Sequence, residues 1–275
     1  MGFGEKMRRK TKEEVINKIR KDIIGKHKLC KGEGFKKKII KDEETGFAKS
    51  VMEPCSCVAK FEFISKLILS NIPYEKLKNQ KIYEKMVIDE LTEKSFDLRK
   101  EFITPYINNL KKVLKQPYGF FFTGKNGTGK TFVSWKILYY AILKEFTAHN
   151  IELSSYLKLL RTTKTKEDEF LIKEISDVDI LMLDEVGNES VKSDFVIGEF
   201  KTLIKQRIDN NKPTILISNF SFKDFCKVYG VSIRNVVESH MKILSFNDVP
   251  DIRATKEKFE MDCFYYELGK KKKSK

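Results

Sequence analysis

Apolar positions along the chain change their spacing three times, and each change marks a different kind of structure. In residues 5–24, Met7, Val15, Ile16, Ile19, Ile23 and Ile24 recur at mixed three- and four-residue steps among lysines and arginines. That period predicts a short basic amphipathic helix over residues 11–24. Residues 25–58 lose the period; Gly25, Gly32, Gly34 and Gly46 punctuate a stretch that holds His27, Cys30, Cys55 and Cys57. Helical spacing returns over residues 59–116, broken at Pro73 and Pro105. After Pro117, strand-sized apolar runs alternate with longer amphipathic segments: GFFFT (119–123), LMLD (181–184) and TILIS (214–218). Continuous apolar strands separated by helices predict an α/β fold with a parallel sheet covered on both faces.

These changes divide the chain. Residues 1–58 form a basic helix with a cysteine-bearing module, 59–117 a helical linker, and 118–255 the α/β domain. Residues 256–275, ending in GKKKKSK, are a basic tail that cannot build a core. No internal repeat occurs at a period of 20–50 residues.

Gly124-Lys125-Asn126-Gly127-Thr128-Gly129-Lys130-Thr131 follows the GFFFT run directly and matches GxxxxGK[ST]. Each fixed position has a chemical reason. The glycines allow a loop whose backbone N–H groups face phosphate oxygens, and the next helix aims its positive end at them. Lys130 supplies a flexible cation for β and γ phosphates, and Thr131 a hydroxyl for Mg²⁺. A glycine-rich turn opening a helix is the alternative, and it would need neither Lys130 nor Thr131.

The run Asp179–Glu185 is a buried-strand pattern that ends in two carboxylates, Asp184 and Glu185. An acid at the C-terminal end of a parallel strand sits at the ligand edge of the sheet, beside the phosphate loop. Asp184 then suits Mg²⁺, and Glu185 can polarise a water that attacks the γ phosphate. TILIS ends at Asn219, whose amide can orient that water; Asn is also a common turn residue. Three strand ends thus predict one ATPase-type site.

His27-Lys-Leu-Cys30 and Cys55-Ser-Cys57 pair an H-x2-C with a C-x-C knuckle, a donor set suited to tetrahedral Zn²⁺. Gly32 and Gly34 can turn backbone N–H groups toward the sulfurs. Lys26, Lys28, Lys31 and Lys60 would offset the charge of three thiolates. A segment this charged has no core of its own, so a metal would organise it. The competing reading is three buried, inert thiols and a surface histidine. Cys226, Cys263 and His149 read as structural.

Composition sharpens the choice of partners. The chain has 275 residues and 32.2 kDa, room for one large domain or a medium and a small one. Its formal charge is +15, and residues 1–60 hold 17 basic against 9 acidic side chains. The excess favours polyanions such as nucleic acid without indicating a fold. Phe35, Phe61 and Phe63 stand near basic residues and could stack on bases, although such aromatics are more often core. No apolar run approaches ~18 residues, so no membrane span is expected. MGFGEKMRRK lacks a signal peptide's apolar stretch, and Lys6 spoils a myristoylation site. With five cysteines and no sign of secretion, a soluble cytoplasmic protein with thiols or metal ligands is expected.

LMLDEVG, QRIDNNKPTILISNFS and DVPDIR resemble the AAA+ ATPases of the DnaC/DnaI helicase-loader group and their IstB-type transposition relatives, over residues ~118–253. The resemblance implies a Walker A at Gly124–Thr131, a Walker B at Asp184 and Glu185, a sensor 1 at Asn219, and sheet order 5-1-4-3-2. It also implies roles for Arg207, ahead of the sensor strand, and Arg253, ending the terminal motif. The group carries a trans-acting arginine shortly before its last strand. Here Ser239-His240 stand at that place, and Arg234, earlier in the segment, is the candidate substitute. Some loaders also carry a cysteine knuckle module ahead of the ATPase.

By this resemblance the chain would load a replicative DNA helicase onto single-stranded DNA, with ATP binding and hydrolysis as the switch. Residues 1–58 would grip the helicase, and the AAA+ domains would associate with one another. Two alternatives stay open: an IstB-type helper that binds duplex DNA, and a nucleotide-gated adaptor with negligible turnover.

Overall fold

The computed structural model describes residues 3–42, 47–73, 99–188, 193–249 and 251. Helix α1 (Phe3–Arg20) runs into a π-helical turn at Lys21–Gly25. It starts earlier than its apolar period predicts, because Glu5, Lys6, Met7, Arg8 and Arg9 are all good helix formers. The glycine-punctuated segment then makes an antiparallel ribbon, β1 (Phe35–Lys41) and β2 (Ala48–Pro54), with Phe35 opposite Pro54 and Lys41 opposite Ala48. Periodicity alone did not predict these strands. Helix α2 (Ser56–Leu69) follows, then a π-helical turn at Arg99–Ile103 and two short helices, α3 (Thr104–Asn108) and α4 (Leu110–Val113).

The α/β region alternates as its apolar runs predict. Strand β3 (Gly119–Thr123) leads to α5 (Lys130–Leu143), β4 (Ala148–Glu152), α6 (Leu153–Thr162), α7 (Lys166–Asp177) and β5 (Ile180–Asp184). After these come α8 (Asp194–Asp209), β6 (Thr214–Ser218), α9 (Phe222–His240) and β7 (Met241–Ser245). Helix α9 bends at Gly230, whose φ of 80° breaks the helical geometry. The five strands form one sheet in the order β4-β5-β6-β3-β7, and every pairing is parallel. Numbered from β3, the order reads 5-1-4-3-2 from the β7 edge.

Successive residues of the central strands enter different cores. Phe120, Phe122, Ile180, Met182, Ile215 and Ile217 pack on one side with Ile137, Leu138 and Ala141 of α5. Phe121, Leu181, Leu183 and Leu216 pack on the other with Phe200, Phe225 and Tyr229 of α8 and α9. The first core does not stop at Pro117. Leu67, Ile72, Ile103, Ile107, Leu110 and Leu114 belong to it, and Phe63 of α2 meets Tyr139 of α5 edge-on at 5.2 Å. The expected linker is therefore also a wall of the α/β core. A small third cluster joins Ile24 to Cys30, Cys55 and Cys57.

Candidate functional site

The phosphate loop needs unusual backbone at three glycines. Gly124, Gly127 and Gly129 have φ of 146°, 80° and 86°, conformations that a side chain would strain. Gly129 is the N-cap of α5, so Lys130 and Thr131 open that helix. Lys130 is buried, and its ammonium donates to the carbonyls of Gly124 (2.6 Å) and Lys125 (2.7 Å) and to Asn219 Oδ1 (3.2 Å). That last bond ties the loop to the end of β6. Thr131 Oγ1 donates to Asp184 Oδ2 at 3.1 Å, which ties it to the end of β5. The two Mg²⁺ candidates are thus adjacent before any ion is considered, an oxygen pair that suits a hard cation.

Glu185 follows in the left-handed region, φ 55°, rare for a residue with a long side chain. Its N–H donates to Asp184 Oδ1 at 2.9 Å. The turn is pinned to β6, since Val186 N–H donates to Ile217 O (2.9 Å) and Ser218 Oγ donates to Val186 O (2.6 Å). Burial raises the Asp184 carboxyl above its ordinary range, against the pull of the Glu185 N–H, Thr131 and Lys130. Burial also raises Glu185, helped by the charges of Glu152 and Asp184. Glu152 is a residue that sequence reasoning missed. Strand register places it opposite Asp184, so three carboxylates crowd the ligand edge of the sheet.

Asp251, within DVPDIR, was also missed as an individual residue. A Cβ at Gly127 would collide with both carboxylate oxygens of Asp251, so this carboxylate rests directly on the phosphate loop. Phe246 helps to bring it there: its N–H donates to Thr123 O at 2.7 Å, and its backbone covers Gly124.

The arginines separate. Arg207 is fully buried, and the structure does not bring it to the Lys130–Asp184 group. Its guanidinium donates to Thr214 Oγ1 (2.9 Å) and to the carbonyls of Ser176 (2.7 Å), Val178 (2.9 Å) and Pro213 (2.7 Å). Those bonds staple the entries to β5 and β6 together. Four of its five N–H donors are committed inside the protein, at the ends of β5 and β6 opposite the Lys130–Asp184 group. Burial lowers it to about 10. Arg234 is exposed on α9 and pairs with Glu238 at 3.0 Å, and Ser239 and His240 end the same helix. Arg253 and Cys263 lie outside the described residues.

The second cluster is the cysteine module. His27 Nδ1 lies 3.5 Å from Cys30 Sγ and 3.3 Å from Cys55 Sγ, and Cys30 and Cys57 sulfurs are 3.5 Å apart. All four donor atoms fall within 4.8 Å of one another. Tetrahedral Zn²⁺ with ordinary bond lengths sets its ligand atoms about 3.5–3.8 Å apart, so these residues fit it. Cys55 is the N-cap of α2 and Cys57 lies in its first turn. Gly32 and Gly34, at φ 89° and 80°, turn their N–H groups toward Cys30. Burial opposes the Cys30 thiolate, but those N–H groups, His27 and Cys57 outweigh it and lower the thiol. Burial and the neighbouring sulfurs raise Cys57. Bound Zn²⁺ would hold the ribbon, the π-helical turn and α2 at one point.

No described helix is long and apolar enough to cross a membrane. No family model matches the chain. The chain is similar to curated DnaC/DnaI-type replicative helicase loaders. It is 26% identical over 116 residues to the replicative helicase loader DnaC of Escherichia coli (strain K12), covering 40% of this chain and 46% of that protein. It is 31% identical over 109 residues to the replicative helicase loader DnaI of Bacillus subtilis (strain 168), covering 38% of this chain and 33% of that one. Among solved structures, the crystal structure of the DnaC helicase loader shares 22% identity at a TM-score of 0.46, over 52% of this chain and 85% of that one. The chain spans less than half the length of these two curated relatives.

Proposed function

We propose that the chain is an ATP-dependent loader that places a replicative DNA helicase on single-stranded DNA. The observation that carries this reading is the meeting of Lys130, Thr131, Asp184 and Asn219 at three strand ends, in a chain similar to proteins named replicative helicase loaders. Lys130 would exchange its carbonyl partners for β and γ phosphate oxygens, while the Gly124–Gly129 loop offers its N–H groups. Thr131 and Asp184 would hold Mg²⁺, which supplies charge neutralisation on the phosphates. Glu185 would accept a proton from the attacking water, with Asn219 orienting it; its raised proton affinity suits a base. Arg234, exposed on α9, would reach a neighbouring subunit's nucleotide, which makes self-association part of the proposal. Arg253 would act with it from the terminal motif. His27, Cys30, Cys55 and Cys57 would carry Zn²⁺, and residues 1–58 would hold the helicase.

Paired variants test the reading. Lys130→Ala should abolish ATP binding. Glu185→Gln should keep ATP binding but stop hydrolysis, and neither variant should load helicase onto single-stranded DNA. A Glu185→Gln variant that hydrolyses ATP at the native rate, or a wild-type chain that neither binds nor loads the helicase, overturns it.

A further inference from the structure

The β1–β2 ribbon turns its larger apolar set toward solvent. Register puts Phe35, Lys37, Ile39 and Lys41 on one face with Ala48, Ser50, Met52 and Pro54. All eight are exposed, Ile39 at 75%, Met52 at 59% and Phe35 at 49%. The other face holds Lys36, Lys38, Ile40, Lys49, Val51 and Glu53, and there Val51 and Glu53 are partly covered while Ile40 is 39% exposed. The ion pairs are thus on the more sheltered face, where Glu53 binds both Lys36 (3.0 Å) and Lys38 (3.1 Å). The more exposed face carries the larger apolar set, Phe35, Ile39 and Met52, against Ile40 and Val51 on the other.

Charge follows the same asymmetry. Lys37 lies opposite Met52 and Lys41 opposite Ala48, so among the described residues no carboxylate stands across the ribbon from either ammonium. Met52 lies diagonally between Phe35 and Ile39, close enough across the strands for the three to form one patch. An apolar patch of this kind marks a protein contact more than a nucleic-acid one: two of its three large side chains, Ile39 and Met52, are aliphatic and give bases no flat surface for stacking.

We propose that this outer face is a docking surface for a protein partner that presents an apolar patch bordered by carboxylates. Phe35, Ile39 and Met52 fill the partner's apolar patch, and Lys37 and Lys41 meet acids at its rim. The proposal rests on the loader reading for the identity of the partner, a replicative helicase, but the assignment of the face is independent of ATP chemistry.

The test uses the full chain and the purified replicative helicase of the same host. Ile39→Ser/Met52→Ser should weaken helicase binding by about tenfold or more, since buried aromatic and Met contacts dominate such interfaces. Lys37→Glu/Lys41→Glu should also weaken it, most at low salt. Lys36→Gln, on the other face, should leave it within about twofold. Unchanged thermal midpoints and metal content would show that the variants fold. Wild-type affinity in both double variants overturns the assignment and leaves the loader reading standing. Loss of single-stranded DNA binding with helicase binding intact makes the face a nucleic-acid surface and also overturns it. A wild-type chain that ignores the helicase removes the loader reading and this proposal together.

Discussion

Asn71 and Asn150 hold each other across the junction between α2 and the sheet. Asn71 Nδ2 donates to Asn150 O (3.0 Å), Asn150 Nδ2 donates to Asn71 O (3.1 Å), and Asn150 N–H donates to Ser70 O (3.0 Å). Strand β4 is the outer strand of the sheet, so the 70–71 turn pairs with a backbone edge that would otherwise face solvent. Asn71 has φ 57°, which Asn tolerates better than most residues. Its Nδ2 also lies 3.2 Å from His149 Nε2.

Replacing Asn71 separates the backbone from the side chain. Asn71→Ala should cost about 2–3 kcal/mol, combining lost hydrogen bonds with strain at positive φ. Asn71→Gly should cost less, because it keeps the conformation and loses the amide alone. Urea unfolding of both variants checks the order; equal destabilisation would assign the whole effect to the amide.

His149 makes the same junction sensitive to acid. Burial lowers it to about 4, with help from the charge of Lys12. The folded protein therefore favours the neutral ring, and its stabilisation is complete above the unfolded value of 6.5. It is lost as pH falls from 6.5 toward 4, on the order of 3 kcal/mol in full. Thermal midpoints across that window should fall more steeply for wild type than for His149→Asn.

Arg207 should behave as a structural residue. Arg207→Lys cannot reproduce four directed bonds from one ammonium, and Arg207→Ala leaves buried carbonyls without donors. Both should destabilise, Ala by about 3–5 kcal/mol. At temperatures where the variants stay folded, kcat should be close to wild type. A folded Arg207→Lys protein with lost turnover would return this residue to the catalytic set.

Asp251 places negative charge where phosphate is expected. Asp251→Asn should bind ATP about fivefold more tightly at low salt, the equivalent of about 1 kcal/mol of removed repulsion. Calorimetric titration measures it, and an unchanged Kd would show that the segment moves away without cost.

The cysteine module should copurify with one Zn²⁺, measured by elemental analysis, and Cys30→Ser should lose it. Because Cys55 and Cys57 open α2, metal loss should also lower the thermal midpoint of the chain. A metal-free protein with an unchanged midpoint would leave the four side chains as a packed thiol cluster.

What the sequence made legible follows period and chemistry. The buried runs GFFFT, LMLD and TILIS became β3, β5 and β6, because strands covered on both faces must be apolar throughout. The P-loop glycines and the knuckle residues were legible because their chemistry fixes residue types at short spacing. The β1–β2 ribbon was not, since FKKKIIK and AKSVMEP alternate without a buried face and carry no strand signal. Glu152 and Asp251 were hidden for a different reason. Their places depend on strand register and on a crossing segment, which local spacing does not encode. The burial of Arg207 was not legible, because its sequence position ahead of β6 is the same whether the side chain points to the ligand edge or into the core.

The shared core sets the smallest piece of this chain that can stay dissolved. A fragment beginning at residue 118 would keep Phe120, Phe122 and Ile137 but shed Leu67, Ile72, Ile103, Ile107, Leu110 and Leu114, which cover that side. It would also strip Ser70 and Asn71 from β4, baring strand groups that can recruit another chain. Such a fragment carries every phosphate ligand assigned above and yet is set to aggregate. A durable α/β unit has to begin no later than α2, and so takes part of the cysteine module with it.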